Sequence, residues 1–530
     1  MRSIAFITVA LLISTVAAAA DTLVVCPLPL QHALGPWIRH RQSQGHEFQI
    51  ISPSGDADAI TLQIHQQARQ HSIRSLLLVG DTPPVGAAAD GPAGLGIATH
   101  LVKSKVSVLY GSEAEIASDN PYADLDGDGI PDIAVGRLPV NDARQLSALL
   151  QRVISYEKSR GPRSWQGKVH FIAGVGGFGL LADKAIEAAT RQLLGGRIPA
   201  TYHFTMTFGS WRSPFCPDPR QFHRHTLARL NEGSLFWVYL GHGSERRLDR
   251  VVVPGKTYHI LDSDDLLHVD CRNGPPIAVF LSCYTASFDG TRQCLAEQLL
   301  QLPQGPIAVY GGSRVTMPYA MAVMGESLMR QVFDERRATL GELILQAKRD
   351  MVQQQPASRT PQRRLIDVMA AVISPRTHDL QDELEEHLSL FNLLGDPLLR
   401  IPYPEELVVV CPAGANAGDT ITVKVTSPFA GTMQVELRCG RDQFTFKPPQ
   451  RTSYQASDSW LANFEPVYKR ANNPVWWSRA IRTRRATSTI QVPIPDEARG
   501  ACSVRIVLEG RGNWAAGSSP IYVRSILNRE

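Results

Sequence analysis

"LFWVYLGHGSERR", residues Leu235–Arg247, is an apolar run that stops at a histidine held between two glycines. A run this short, rich in aromatic residues and bounded by glycine, reads as a strand buried on both faces of a parallel sheet, because a strand with one wet face would alternate. His242 then stands at its carboxyl end. In open α/β sheets that edge is where loops converge on one crevice and where ligands bind. A histidine in an ordinary surface turn is the competing reading, and a second stretch of the same form separates the two.

"PPIAVFLSCYTASFDG", residues 275–290, is such a stretch: a short buried run, Ile277 to Leu281, that ends in Ser282 and Cys283 and enters a loop closed by Gly290. The segment between the two runs has roughly the length of an ordinary crossover. The runs can therefore be neighbours in a parallel sheet, with His242 and Cys283 side by side above its edge. That is the arrangement of a cysteine nucleophile and its histidine partner. A thiol is mostly protonated at neutral pH, and a neighbouring imidazolium stabilises its thiolate. Gly241 and Gly243 fit the same scheme, since backbone without side chains lets a substrate approach and leaves an N–H to meet an oxyanion. The bland alternative makes Cys283 a buried structural cysteine or half of a disulfide.

The surrounding chain keeps a βα beat. "DTLVVCPLPLQHALGPWIRHRQSQGHEFQIIS" reads as strand, helix and strand, "DADAITLQIHQQARQH" as a helix, and "SIRSLLLVGD" as a buried strand ending at Asp81. After a long loop the beat resumes with the amphipathic helix "NDARQLSALLQRVISYEKS", the strand "KVHFIAGVGG" and the helix "LADKAIEAATRQLL". Alternation of this kind implies a parallel sheet covered by helices on both faces. From about Pro404 the pattern becomes strict apolar/polar alternation across turn signals, as in "AGDTITVKVTSPFAGTMQVELRC" and "ACSVRIVLEGRGNW", which reads as a small antiparallel β-sandwich. Between these, "NNPVWWSRAIRTRR" reads as a long sandwich loop with a solvated basic edge rather than a grip on a glycan or polyanion.

At 530 residues, 43% of them hydrophobic, the chain is too long for one ordinary domain and can fill two or three cores. Its net charge of +4 is the small difference between 54 basic and 50 acidic residues, so no global field points to nucleic acid or an anionic membrane. The start, "MRSIAFITVALLISTVAAAADTL", has a basic residue, an apolar stretch too short to span a bilayer and an Ala-x-Ala end, which predicts a signal peptide cleaved near Ala20. No later apolar segment is long enough for a membrane helix, so the expectation is a secreted, periplasmic or cell-surface protein without a transmembrane segment. Eight cysteines then sit in a disulfide-permissive compartment, and if one must stay a free thiol at least one more is left over.

Two further motifs carry weight. "GVGGFG", Gly174 to Gly179, formally satisfies a dinucleotide fingerprint, but the acidic residue expected about 20 positions on is missing from "LLGGRIPATYHFTM". NAD is excluded, and the glycines read as a tight strand-to-helix turn. In "DLDGDGIPD", Asp124, Asp126, Asp128 and Asp132 fall on positions 1, 3, 5 and 9 of a calcium loop, with Gly129 at the turn position. Position 12 holds Val135 where a bidentate glutamate belongs. A calcium site of modified geometry and an Asx-turn loop without metal both fit.

With "YADLDGDGIPDIAVGRLP", "YLGHGS", "FLSCYTASFDG", "GPIAVYGGSRVT" and "FNLLGDPLLRIP" in that order, the sequence resembles the gingipain family of cysteine peptidases over nearly the whole mature chain. The resemblance implies a caspase-like fold followed by an immunoglobulin-like domain. It also implies His242 as general base, Cys283 as nucleophile, the N–H groups of Gly243 and Cys283 as oxyanion hole, and Ser244, Leu281 and Ser282 along the specificity pocket. In the family a glutamate supports the catalytic histidine, and the matching position here is Val175, which implies a Cys-His dyad or an orienting acceptor in a backbone carbonyl. The family's preference for a basic residue before the scissile bond points to Asp183 as the recognising carboxylate, with a plain helix-opening role as its alternative.

The resulting expectation is an α/β protein: a signal peptide over 1–20, an N-terminal α/β subdomain over 21–140, a caspase-like subdomain over 141–403 and an immunoglobulin-like sandwich over 404–530. Its activity is that of a cysteine endopeptidase acting on protein or peptide substrates, with no cofactor needed for chemistry and calcium as a structural ion. The alternative is a catalytically silent surface-binding or adhesion module on the same fold.

Overall fold

Among the described residues, ten strands form one central sheet. Numbered along the chain they are β1 (Thr22–Val25), β2 (Phe48–Ile51), β3 (Ser75–Val79), β4 (Ala134–Leu138), β5 (Lys168–Ala173), β6 (His203–Phe208), β7 (Phe236–Leu240), β8 (Ile277–Leu281), β9 (Ala308–Gly312) and β10 (Phe391–Leu394). Their spatial order is β2-β1-β3-β4-β10-β9-β8-β7-β5-β6. The computed structural model describes residues 20–84, 94–159, 164–174, 195–375 and 377–525. Residues 1–19, Val175, Asp183 and the segment read as the helix "LADKAIEAATRQLL" lie outside them.

The apolar runs behave as buried strands should. In β7 successive side chains point to opposite faces: Trp237 and Tyr239 join one core cluster, Phe236 and Val238 the other. β8 splits the same way, Ala278 and Phe280 against Ile277, Val279 and Leu281. Both faces are covered by helices, so every residue of these runs is apolar. Each large side chain so enclosed contributes roughly 1.5–3 kcal/mol of burial.

The sheet departs from the all-parallel expectation at one junction. Every neighbouring pair is parallel except β9 and β10, which run antiparallel with Val309 opposite Leu394. The reversal follows from how the chain re-enters. β10 begins directly after the helix Leu380–Leu390, whose last carbonyl accepts the N–H of Ser313, the residue just past β9. The chain thus enters β10 from the edge where β9 ended and runs back. One continuous sheet therefore runs through both of the stretches read as α/β subdomains, 21–140 and 141–403.

The C-terminal strands form a six-stranded and a three-stranded sheet around their own apolar core. Thr420–Thr426 shows the expected alternation, with Ile421, Val423 and Val425 inward. One expectation is corrected here: Val475–Thr483, read as loop, is the edge strand of the six-stranded sheet, paired with Gly431–Cys439. Its Arg479 and Arg482 are exposed.

The segment between those two strands reaches back to the central sheet. Its helices Asp458–Leu461 and Phe464–Ala471 place Leu461 and Phe464 in the core beneath β7 and β8. Asn472 accepts the N–H of Met206 at 2.7 Å and donates to its carbonyl at 3.0 Å, substituting for a further strand at the exposed edge of β6.

Candidate active site

In β7 and β8, Leu240 is paired with Leu281, and two residues further along each chain stand His242 and Cys283. The Gly241 N–H donates to the Leu281 carbonyl at 3.3 Å, carrying the ladder one step past the strands. The two loops then touch. A side chain at Gly243 would place its Cβ 2.7 Å from the Cys283 carbonyl oxygen and 2.9 Å from Thr285, so only glycine fits. Gly241 adopts φ of 153° and lies against the Tyr239 hydroxyl and the Gly174 carbonyl, a second position closed to other residues.

The thiol is half-buried and closely held. Thr316 donates its N–H to Cys283 Sγ at 3.3 Å, and its hydroxyl lies 3.5 Å away. An N–H aimed at sulfur is suited to a negatively charged thiolate, and Thr316 stands just before the helix Pro318–Phe333, whose N-terminal end favours negative charge. Tyr284, the residue after Cys283, has φ of 56°, a left-handed conformation strained for a non-glycine residue. It is pinned by its N–H to the Arg314 carbonyl at 3.1 Å and by its hydroxyl to Glu113 at 2.8 Å. Burial and the adjacent Glu113 carboxylate push that phenol up to about 12. Arg314 in turn grips Asp289 through two bonds of 2.8 and 2.5 Å in a buried bidentate pair. The loop carrying Cys283 is thereby tied to the loop after β9.

His242 is exposed, and its loop is held through its carbonyl, which accepts the Tyr239 hydroxyl at 2.8 Å and the Asp249 N–H at 3.1 Å. Among the described residues nothing hydrogen-bonds its imidazole.

The other expected residues are placed as follows. Ser244 is half-buried and donates to the Arg247 carbonyl at 3.2 Å. Leu281 and Ser282 are enclosed, the Ser282 hydroxyl 3.3 Å from that of Thr285, so any part they take in a pocket falls to their backbone. Asp183 lies outside the described residues. In the acidic loop, oxygens of Asp124, Asp126 and Asp128 lie within 4.8 Å of one another. Asp124 also accepts the N–H groups of Gly127 and Gly129. Asp132 stands outside that group, its carboxylate taken by the Leu125 N–H at 2.8 Å and Arg349 at 3.1 Å.

Comparison with known proteins gives the family. The profile of peptidase family C25 matches residues 15–402. The chain belongs to peptidase family C25. A Lys-gingipain of Porphyromonas gingivalis, HG66, is 22% identical over 294 residues, covering 55% of this chain but 15% of that protein. The chain thus matches only a small part of that relative's length. The solved Arg-specific cysteine proteinase gingipain R superposes with a TM-score of 0.52 at 14% identity, covering 96% of this chain and 98% of that one. A further solved protease gives 0.53 at 17% identity over 95% and 97% of the two chains. At such identities the likeness shows the C25 fold.

Proposed function

We propose that this C25 chain is a cysteine endopeptidase working through a Cys283–His242 dyad. The observation that carries the reading is the in-register placement of the two residues at the carboxyl edges of adjacent parallel strands. In the reaction His242 takes the thiol proton, and the thiolate attacks the peptide carbonyl carbon. A C–S bond forms as the C–N bond breaks, and the protonated imidazole returns its proton to the leaving amine. Water, activated by His242, then releases the acid and restores the thiol. The Gly243 and Cys283 N–H groups are the proposed oxyanion donors. The His242 loop is held through its carbonyl by Tyr239 and Asp249, which supports a base positioned by its backbone. Cysteine enzymes tolerate this because the thiol needs less activation than a hydroxyl.

Lys-gingipain and the Arg-specific gingipain R carry basic specificity in their names, which supports a preference for lysyl or arginyl bonds; Asp183 is the proposed reading carboxylate, with a helix-opening role as its alternative. Faster cleavage of such peptides than of neutral ones is the check. Export after loss of residues 1–20 completes the reading.

Selective, pH-dependent alkylation of Cys283 among the eight cysteines supports the peptidase. Equal sluggishness of all eight supports the silent binding module instead. For the acidic loop we propose a calcium ion held by Asp124, Asp126 and Asp128. Added calcium then raises the melting temperature by binding the folded state, and Asp126→Ala removes the response. A melting curve indifferent to chelator leaves the loop as turn chemistry.

A further inference from the structure

Beside the hairpin that follows the His242 loop, three side chains from three separate elements converge. His223 lies on the helix Phe222–Asn231, His259 at the end of the strand Lys256–His259, and Asp265 in the short turn of helix Ser263–His268. One donor atom from each lies within 4.8 Å of the others. The two imidazoles stack, centroids 4.4 Å apart and planes 24° from parallel, and His259 Nε2 is 3.3 Å from Asp265 Oδ2. The Asp265 carboxylate is fixed from behind by the Asp262 N–H at 3.0 Å, the kind of outer contact that orients a metal-ligating carboxylate.

We propose that His223, His259 and Asp265 bind a divalent transition metal of the zinc class. Two imidazoles and one carboxylate suit zinc, cobalt or nickel, whereas calcium and magnesium seek all-oxygen shells. Three protein ligands leave a fourth position for water. Metal–ligand bonds of about 2.0–2.1 Å set donor atoms about 3.4 Å apart, so binding draws the three donors together and turns the stacked imidazoles out of parallel. The site has room for this, since the His259 side chain is 39% exposed.

The location gives the ion a consequence. His259 is paired with Arg250, and the neighbouring Asp249 donates its N–H to the His242 carbonyl and accepts that of Ile260. A metal joining the helix Phe222–Asn231 to this hairpin stiffens the support of the His242 loop.

The test uses the full chain carrying Cys283→Ala, which removes the reactive thiol as a competing ligand and makes the result independent of the peptidase reading. Cobalt titration should give visible absorption of low-symmetry Co²⁺ saturating at one equivalent, displaced by zinc, and zinc but not calcium should raise the melting temperature of a His259-intact protein whose acidic loop carries Asp126→Ala. His223→Ala, His259→Gln and Asp265→Asn should each weaken cobalt affinity by more than about 100-fold, beyond the roughly 10–100-fold that loss of an outer contact costs. Each variant is first checked for an unchanged circular dichroism spectrum in chelator, and any one that folds suffices. Absence of cobalt and zinc binding to the parent, or binding unchanged in the folded variants, overturns the proposal.

Discussion

The two halves of the proposed dyad are built differently. The Cys283 loop is locked by a buried Arg314–Asp289 pair, a left-handed Tyr284 and the N–H of Thr316 on sulfur, while His242 is exposed and held through its carbonyl. The nucleophile must meet a carbonyl carbon at a set angle, so misplacement of it is costly. The base only has to exchange a proton and can do so from a looser perch. Rigidity is concentrated where the new covalent bond forms.

The sharpest way to break this contrast is to remove each partner. Cys283→Ala should lower turnover by about 10⁴-fold or more with an unchanged melting temperature. His242→Ala should behave alike, and the double variant should be no worse than either, because the pair acts as a unit. Additive losses measured in a peptide cleavage assay would argue against a dyad. Next in size, Arg314→Met strands the buried Asp289 and should cost about 3–5 kcal/mol in chemical denaturation. It should also slow alkylation of Cys283 relative to the other thiols. If stability falls while Cys283 reactivity stays intact, the clamp does not position the nucleophile.

A smaller effect is expected from pH. His387, fully buried, accepts the Met317 N–H at Nε2 over 2.8 Å and bonds the Glu383 carbonyl through Nδ1, so it is held neutral. Burial pushes it down to about 4. The unfolded chain, with histidine near 6.5, takes up that proton first, so this contribution is whole above about pH 6.5 and is lost as pH falls toward about 4. Met317 follows Thr316, and the acid side should therefore loosen the sulfur contact as well. His387→Gln, which does not titrate there, should flatten the slope of melting temperature against pH over that window. Smallest of all, Tyr284→Phe deletes the bond to Glu113 and should cost about 1 kcal/mol in denaturant unfolding. A larger loss would mean that this hydroxyl, and not the backbone bond to Arg314, holds the strained residue.

What was legible in the sequence is what short-range chemistry dictates. Leu235–Leu240 and Ile277–Leu281 are apolar throughout because both faces of the sheet are covered, and each stops two residues short of a member of the proposed dyad. The alternation of Thr420–Thr426 marked the sandwich. The reversal of β10 was not legible, because it depends on where the helix Leu380–Leu390 delivers the chain. Arg314 and Asp289 lie 25 residues apart and give no local signal of pairing. Thr316 sat inside the quoted "GPIAVYGGSRVT", yet only folding brings its N–H to a sulfur 33 residues earlier. Val475–Thr483 was misread because an edge strand with an uncovered side loses the clean alternation by which strands are recognised.

Asn472, which fills the open edge of β6 from within the C-terminal part of the chain, makes that part a resident chaperone. A peptidase trimmed back to Tyr403 would bare the main-chain groups of Met206, a template on which a second trimmed copy could add a strand. Self-association, rather than loss of chemistry, would be the first penalty of such a cut.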